Sequence, residues 1–483
     1  MGDSVPISMG RGSNKARFGQ GGATQFVNAY VEDMGEAGKT SFSAYAINGW
    51  NAFASLPNGN GVRRMLGVDD VLLAVANRLL FSTNAFGTAV TTIGGIPSDG
   101  FVTMAHNRKT PNKQVAIVCD GLWFIYEGGT LTQGSDTDLP PPIFVVESDG
   151  YFFFLIQDGR WFLAGPNEGL SIDPLDFAEA EASSDKNVAA AVRGRTFIPF
   201  GEKSAEFWDP NGDPIFPYSR TTAIDVGCYA AGTVANLLVT KGGTARDMVI
   251  FAGTNKEGAY AGIMALDGYQ PTVISSPEVD RLVRDEPNKA ALRCLAWTED
   301  AHSYYTLSGT SFSTTWDGKT GEWHDRRSIS SPRWNAGCVV QFGGMTLFGH
   351  QTSNTIANSL PDVFDENGSP IVWQIQPPPI HMYPKWFKVN TVYVDMITGV
   401  GLNSGNDDDD QPELVFDYSK DGGVSWAVAR RIPLGGMNER YRRVKIRSLG
   451  RFDHNGVTLR FRCSAKVVKG LQQLAIDATP LKG

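Results

Sequence analysis

Ile143–Gly165, IFVVESDGYFFFLIQDGRWFLAG, decides the reading of this chain. Three short runs of β-branched and aromatic residues are parted by Asp149-Gly150 and Asp158-Gly159. An Asp-Gly pair between apolar runs supplies the positive φ of a tight hairpin turn. The stretch therefore predicts a meander of three antiparallel strands. Its middle strand, Tyr151 to Ile156, is apolar on both faces and belongs between other layers. A buried helix would need a longer run without the Asp-Gly breaks.

The pattern recurs. Gln114–Tyr126 turns at Asp120-Gly121, Val188–Trp208 at Arg193-Gly194 and Gly201-Glu202, and Leu237–Gly253 at Gly242-Gly243. Leu292–Trp316 turns near Glu299-Asp300 and Gly309, and Cys338–Gly349 at Gly343-Gly344. Turn clusters at intervals of roughly 30 to 55 residues approach the blade length of a β-propeller. A four-stranded sheet cannot bury both faces alone, and stacking such sheets around an axis does so while leaving only short edges. One helix interrupts the strands. Ser276 offers a cap, Pro277 a first helical residue, and Val279, Leu282 and Val283 one apolar face, with Pro287 past the end.

Beyond the proline-rich Gln376–Pro384, six strand-like runs predict a small antiparallel sandwich: Phe387–Ile397, Glu413–Ser419, Ser425–Pro433, Tyr441–Ser448, Val457–Ala465 and Leu471–Ala478. The expected fold is all-β: an irregular β-propeller followed by a C-terminal antiparallel β-sandwich, with one short helix. The expected divisions are an N-terminal arm with lead-in strands over residues 1–60, the propeller over 61–375 and the sandwich over 376–483. Residues 1 to 22, rich in Gly and Ser with Arg11, Lys15 and Arg17, read as a flexible arm. The acidic run Asp407–Asp410 reads as a solvated, mobile loop, because consecutive carboxylates do not all converge on one cation.

Formal net charge is -8, but it is unevenly placed. From Arg430 to Lys469 basic side chains crowd together against only Glu439 and Asp453. Arg440, Arg442, Arg443, Lys445 and Arg447 make up the densest part and mark a candidate partner interface. No RNA- or DNA-binding motif accompanies them. No apolar run approaches a membrane span, and the N-terminus lacks the apolar core of a signal peptide, so no membrane insertion is expected. The five cysteines are scattered without metal-ligand spacing and read as buried reduced thiols.

No constellation of catalytic, metal or cofactor-binding residues stands out. The six histidines are far apart in sequence and fit no triad or metal motif. Asp209–Asp213 and Asp365–Gly368 lack the ligand spacing of calcium loops and read as turns. Ser419-Lys-Asp421-Gly-Gly423-Val-Ser-Trp426 has the pattern of the Asp-box found in sialidase propellers. That motif is a folding device, in which the aspartate caps its own turn above the tryptophan. A propeller glycan hydrolase and a protein-binding propeller scaffold are the alternatives these features leave open.

The order of elements from GEKSAEFWDPNGDP through ISSPEVDRLVRD to WDGKTGEWHDRRS resembles the tail-hub proteins of short-tailed bacteriophages, also called packaged-DNA stabilisation or head-completion proteins. Ser276, Glu278, Leu282, Val283 and Arg284 match the family's short helix, and Ser303 to Leu307 the strand after it. Asp421, Gly422 and Trp426, then Arg443, Arg447, Leu459, Phe461 and Arg462, match its ending. The Asp-rich loop departs from the pattern. The resemblance implies a non-enzymatic virion protein without cofactor, made in the host cytoplasm. It implies a homo-oligomeric ring, expected to be a hexamer, that extends the DNA exit channel below the portal–adaptor complex. It further implies help in retaining packaged DNA and contact with a tail needle and with tail fibres or spikes.

Overall fold

The computed structural model describes residues 4–58, 60–179, 185–213 and 216–481. Seven four-stranded antiparallel blades follow one another, five as separate sheets and the last two as parts of larger sheets. Blade 1 runs from Val62 to Gly95, blade 2 from Val102 to Gln133 and blade 3 from Pro142 to Glu179. Blade 4 spans Asn187–Ile224, blade 5 Ala235–Val273 and blade 6 Arg293–Asp325. Blade 7 takes three strands from Ala336–Leu360 and its fourth, Gly49–Ser55, from near the start of the chain. Thr355 pairs with Ser55 and Leu360 with Gly49, so the ring is closed by hydrogen bonds between its two ends. The first strands of successive blades are neighbours all the way round the axis.

The stretch around Asp149-Gly150 shows why the blades stack. Asp149 and Gly150 have φ of 54° and 89°, as Asp120-Gly121, Gly242-Gly243 and Gly343-Gly344 also have paired positive values. Side chains alternate across a strand, so neighbours in sequence face opposite blades. Phe153 stacks on Phe197 of blade 4 at 4.2 Å, whereas Phe154 meets Trp123 of blade 2 edge-on at 5.3 Å. Phe152, Phe153 and Phe154 are all fully buried. Each such ring contributes about 1.5–3 kcal/mol of transfer free energy.

The helix forms over Pro277–Arg284, with the Ser276 hydroxyl accepting from the Val279 N–H at 3.4 Å. Val279 and Val283 bury against blade 5 and Trp323 of blade 6. Glu278, on the other side, accepts the Lys15 N–H at 2.6 Å.

The sandwich contains all six expected strands, at Phe387–Met396, Glu413–Ser419, Arg430–Pro433, Val444–Phe452, Thr458–Cys463 and Gly470–Pro480. It also takes Trp373–Gln376 and N-terminal strands that include Ala23–Val27, Ala29–Asp33 and Phe42–Ala46. Phe26, Ala29, Val31 and Ala44 share one core with Val392, Phe416, Phe461 and Leu474. The sheet carrying Ala23–Val27 also continues into blade 6 through the Val27–Asp325 bridge. Gln25 Nε2 donates to Asp325 at 2.6 Å, and Asn28 Nδ2 to the Arg327 and Val372 carbonyls at 2.8 and 3.0 Å. The N-terminal segment thereby staples the two domains together.

Two expectations need correction. Residues 1–22 were expected to form a flexible arm, of which 1–3 lie outside the described residues. Val5–Ile7 instead pairs with Leu474–Ile476, and the Ser13 N–H donates to the Trp323 carbonyl at 2.6 Å. Backbone pairing holds this segment regardless of its Gly/Ser composition. Asp407–Asp410 forms one helical turn rather than an open loop. Asp409 is buried and accepts the Lys466 N–H at 2.7 Å, while Asp410 accepts the Ser404 and Gly405 N–H groups at 2.7 and 3.0 Å. Asp409 and Asp410 thus satisfy backbone donors, while Asp407 and Asp408 are exposed.

Candidate functional site

The titratable groups that would carry chemistry are used as structural pins. His302 Nδ1 lies 2.8 Å from Asp317 Oδ2 in blade 6, with both residues buried. Asp317 also accepts the Lys319 N–H at 2.9 Å and the Thr320 hydroxyl at 3.0 Å, so it ties a turn to the strand bearing His302. The other ring nitrogen faces Lys319 Nζ at 3.4 Å. His324 is buried, and desolvation pushes its pKa well below the ordinary value. Arg326 lies among Trp297, Tyr304 and Trp334 at 4.9, 5.1 and 4.8 Å from the ring centres. Trp334 in turn donates to Glu366 at 2.8 Å. Among the described residues no group of three or more His, Cys, Asp or Glu is placed to hold a metal ion. The cysteines are free, and burial pushes the Cys228, Cys294 and Cys338 thiols up to about 12.

The Asp-box-like turn is assembled in the sandwich. Ser419 Oγ accepts the Gly423 N–H at 2.8 Å, and Asp421 accepts the Val424 and Ser425 N–H groups at 3.0 and 2.9 Å. Hydrogen bonds from Ser419 and Ser425 hold the Asp421 carboxyl far below the usual carboxylate range. Trp426 Nε1 closes the turn on the Gly423 carbonyl at 3.1 Å, and the Arg460 guanidinium covers the indole at 3.7 Å. The Ser419, Asp421 and Trp426 side chains are thus engaged within the turn.

The basic residues are brought together at one edge. Val444–Phe452 is the last strand of its sheet, so one side of it has no partner strand. Val444, Ile446 and Leu449 point into the core, which leaves Arg443, Lys445 and Arg447 exposed. Charge on an edge strand also discourages unwanted strand pairing, which is a structural reason for part of the cluster. Arg440 and Arg442 lie in the exposed loop before it, with Tyr441 between them fully exposed. Arg442 Nε lies 3.6 Å from Glu439, and the Lys445 ammonium lies 5.3 Å from the Tyr393 ring centre. Arg442, Arg443 and Lys445 line an open groove of about 410 Å3 with Tyr393 and Asp395. Arg460 and Arg462 do not join this face. Both bind the buried Asp417, at 2.6 and 2.8 Å. Tyr441 was not singled out from sequence; its flanking arginines were the available signal.

A second cavity, of about 460 Å3, follows the propeller axis and is lined by the first strands of all seven blades, including Arg64, Thr103, Glu147, Asn236 and Cys294. No helix among the described residues is long and apolar enough to cross a membrane.

A propeller closed by an N-terminal strand and joined to a sandwich defines a two-domain, nearly all-β protein. Two family models match in the same order as these domains. The chain belongs to the bacteriophage P22 Gp10 family: the family's β-propeller matches residues 55–358 and its β-sandwich residues 372–479. It is accordingly a phage structural protein and a virion component. No curated protein matches the chain. Among solved structures, the designed protein Ika8 shares 10% identity over 64% of this chain and 100% of its own, at a TM-score of 0.39. The β-propeller domain of Myceliophteria thermophila Cps50 (Swd1) shares 10% over 64% and 99%, at 0.43. The Doa1 WD40 propeller shares 10% over 65% and 97%, at 0.38.

Proposed function

We propose that the protein forms the hub, or nozzle, ring of a short phage tail. Below the portal–adaptor complex, the ring extends the DNA exit channel and helps retain packaged DNA. It anchors the tail needle and the tail fibres or spikes, and it acts without catalysis or cofactor. The observation that carries this reading is the pair of family matches, which span both domains in their order along the chain. Two physical features support it. The N-terminal staple between domains suits a stiff wall. Exposed Tyr441 among arginines is the composition of a binding hot spot rather than of an idle surface.

A ring of identical subunits needs two different complementary faces on each. The basic edge around Arg440, Arg442, Arg443, Lys445 and Arg447 is assigned to one of them, docking on an acidic surface of the next copy or of the adaptor. Reversing charge at Arg440, Arg442 and Arg443 should abolish ring formation or adaptor binding in sedimentation velocity, because like charges across an interface cost several kcal/mol. Exposed side chains leave the fold intact, so an unchanged circular dichroism spectrum with unchanged assembly removes this assignment.

A further inference from the structure

One mouth of the propeller axis gathers three guanidinium groups from distant parts of the chain. Arg63 lies on the first strand of blade 1, Arg293 opens blade 6, and Arg333 precedes blade 7. With Asp99, Gly100 and Gln351 they line a cavity of about 170 Å3. Arg63 Nη1 donates to the Gly100 carbonyl at 2.8 Å and lies 3.6 Å from Cys119 Sγ. Its Nε and Nη2 have no partner among the described residues, and neither does Arg333 Nε. Arg293 lies over the Phe101 ring at 4.7 Å, with Nη1 donating to the Ala290 and Leu292 carbonyls at 2.6 and 2.8 Å.

The nearby carboxylates Asp99 and Glu286 act on Arg63 and Arg333 through space, while their hydrogen bonds go to other groups. Asp99 accepts from Arg78 Nε at 2.9 Å, and Glu286 accepts the Thr310 N–H at 2.7 Å and its hydroxyl at 3.0 Å. In the adjoining axial channel, Glu147 accepts the Gly150 N–H at 2.8 Å, and Arg64 adds a further positive charge. Desolvation lowers the basicity of Arg293 and Arg333, and the Arg293 charge lowers that of Arg333 further, with Glu286 opposing it. Asp99 and Glu286 offset only part of this positive charge, and a bound anion offsets the remaining desolvation and repulsion.

We propose that Arg63, Arg293 and Arg333 form an anion site at this mouth that takes a phosphate group. A single arginine fork already satisfies a flat carboxylate, whereas a tetrahedral phosphate presents oxygens to donors on several sides. The group comes from free phosphate or from the terminal phosphate of a nucleic-acid strand. The site lies within one subunit, so it stands apart from the ring reading.

Isothermal titration of the full chain with inorganic phosphate tests it, followed by titration with a 5′-phosphorylated oligonucleotide and its unphosphorylated counterpart. One saturable site per chain is expected, weakened about tenfold or more by Arg333→Gln and by Arg63→Gln. Arg246→Gln, at an exposed pair with Asp267 on blade 5, should leave it unchanged. Binding of the oligonucleotide only when phosphorylated, with the same sensitivity to Arg333→Gln, places a strand end in the site. Binding of free phosphate alone makes the ligand the small anion. The wild-type titration depends on no variant: absence of saturable binding up to about 10 mM phosphate overturns the proposal. Wild-type affinity in a folded Arg333→Gln chain also overturns it.

Discussion

Replacing Trp50 by alanine tests how the propeller is closed. The indole lies on the closing strand Gly49–Ser55 and is 4% exposed. It stacks on Trp334 at 5.3 Å and leans on Phe348 at 5.5 Å. Truncating a buried tryptophan costs about 3–5 kcal/mol through lost transfer free energy and the cavity left behind, of which each aromatic pair accounts for about 0.5–1.5 kcal/mol. A loss of about 4 kcal/mol is therefore expected. It should fall on blade 7, because the strand pairs with Thr355–Leu360 on one side and touches Glu366 only through a single bridge on the other. Hydrogen exchange resolved by peptide reads this directly. Peptides covering 49–55 and 336–360 should lose protection in W50A, while those covering 142–179 keep theirs. Trp386→Ala, half-exposed on the sandwich, should cost less than about 0.5 kcal/mol. A W50A loss below about 1 kcal/mol, or one spread evenly over all blades, would refute closure through this strand.

Two further substitutions probe the polar core. Burial pushes the Glu366 carboxyl from 4.5 up to about 7, against hydrogen bonds from Ser328 and Trp334 and the Arg326 charge, which pull it down. The folded chain therefore holds a proton that the unfolded chain releases, and stability from this group is complete below 4.5 and lost as pH rises through 7. Glu366→Gln keeps an acceptor for Trp334 and cannot ionise. Its stability relative to wild type should rise by about 3 kcal/mol between pH 4 and 8 in urea titrations, and a difference independent of pH would contradict the reasoning. Asp417→Ala leaves Arg460 and Arg462 without their buried carboxylate and should cost about 3–5 kcal/mol, whereas Arg431→Ala, at an exposed pair with Glu413, should cost under about 1. Equal effects in denaturant titrations would remove the distinction between structural and surface arginines.

The blades were legible because their signals are local. Asp-Gly and Gly-Gly pairs set positive φ within a few residues, and a run such as Phe152–Phe154 betrays a strand covered on both faces. The helix was legible for the same reason, through Ser276, Pro277 and the spacing of Val279 and Val283. Partnerships over long separations were not. Nothing in the composition of Gly49–Ser55 says that it completes the blade formed by Ala336–Leu360, and nothing in Ala23–Val27 says that it joins Trp373–Gln376. The basic edge could be read because Arg440 to Arg447 are neighbours in sequence. The cluster of Arg63, Arg293 and Arg333 could not, since only the circular stacking of blades brings blade 1 beside blades 6 and 7. Arg460 and Arg462 look like part of the basic run until the strand pairing sets them against Asp417.

Electron microscopy of the purified chain mixed with its phage's portal–adaptor complex tests the central claim most directly. The account predicts closed rings seated beneath the adaptor, with the axis of the ring continuing the portal channel and the basic sandwich edge buried between components. Particles that stay monomeric, leaving the adaptor bare at concentrations well above those found in an infected cell, would contradict it.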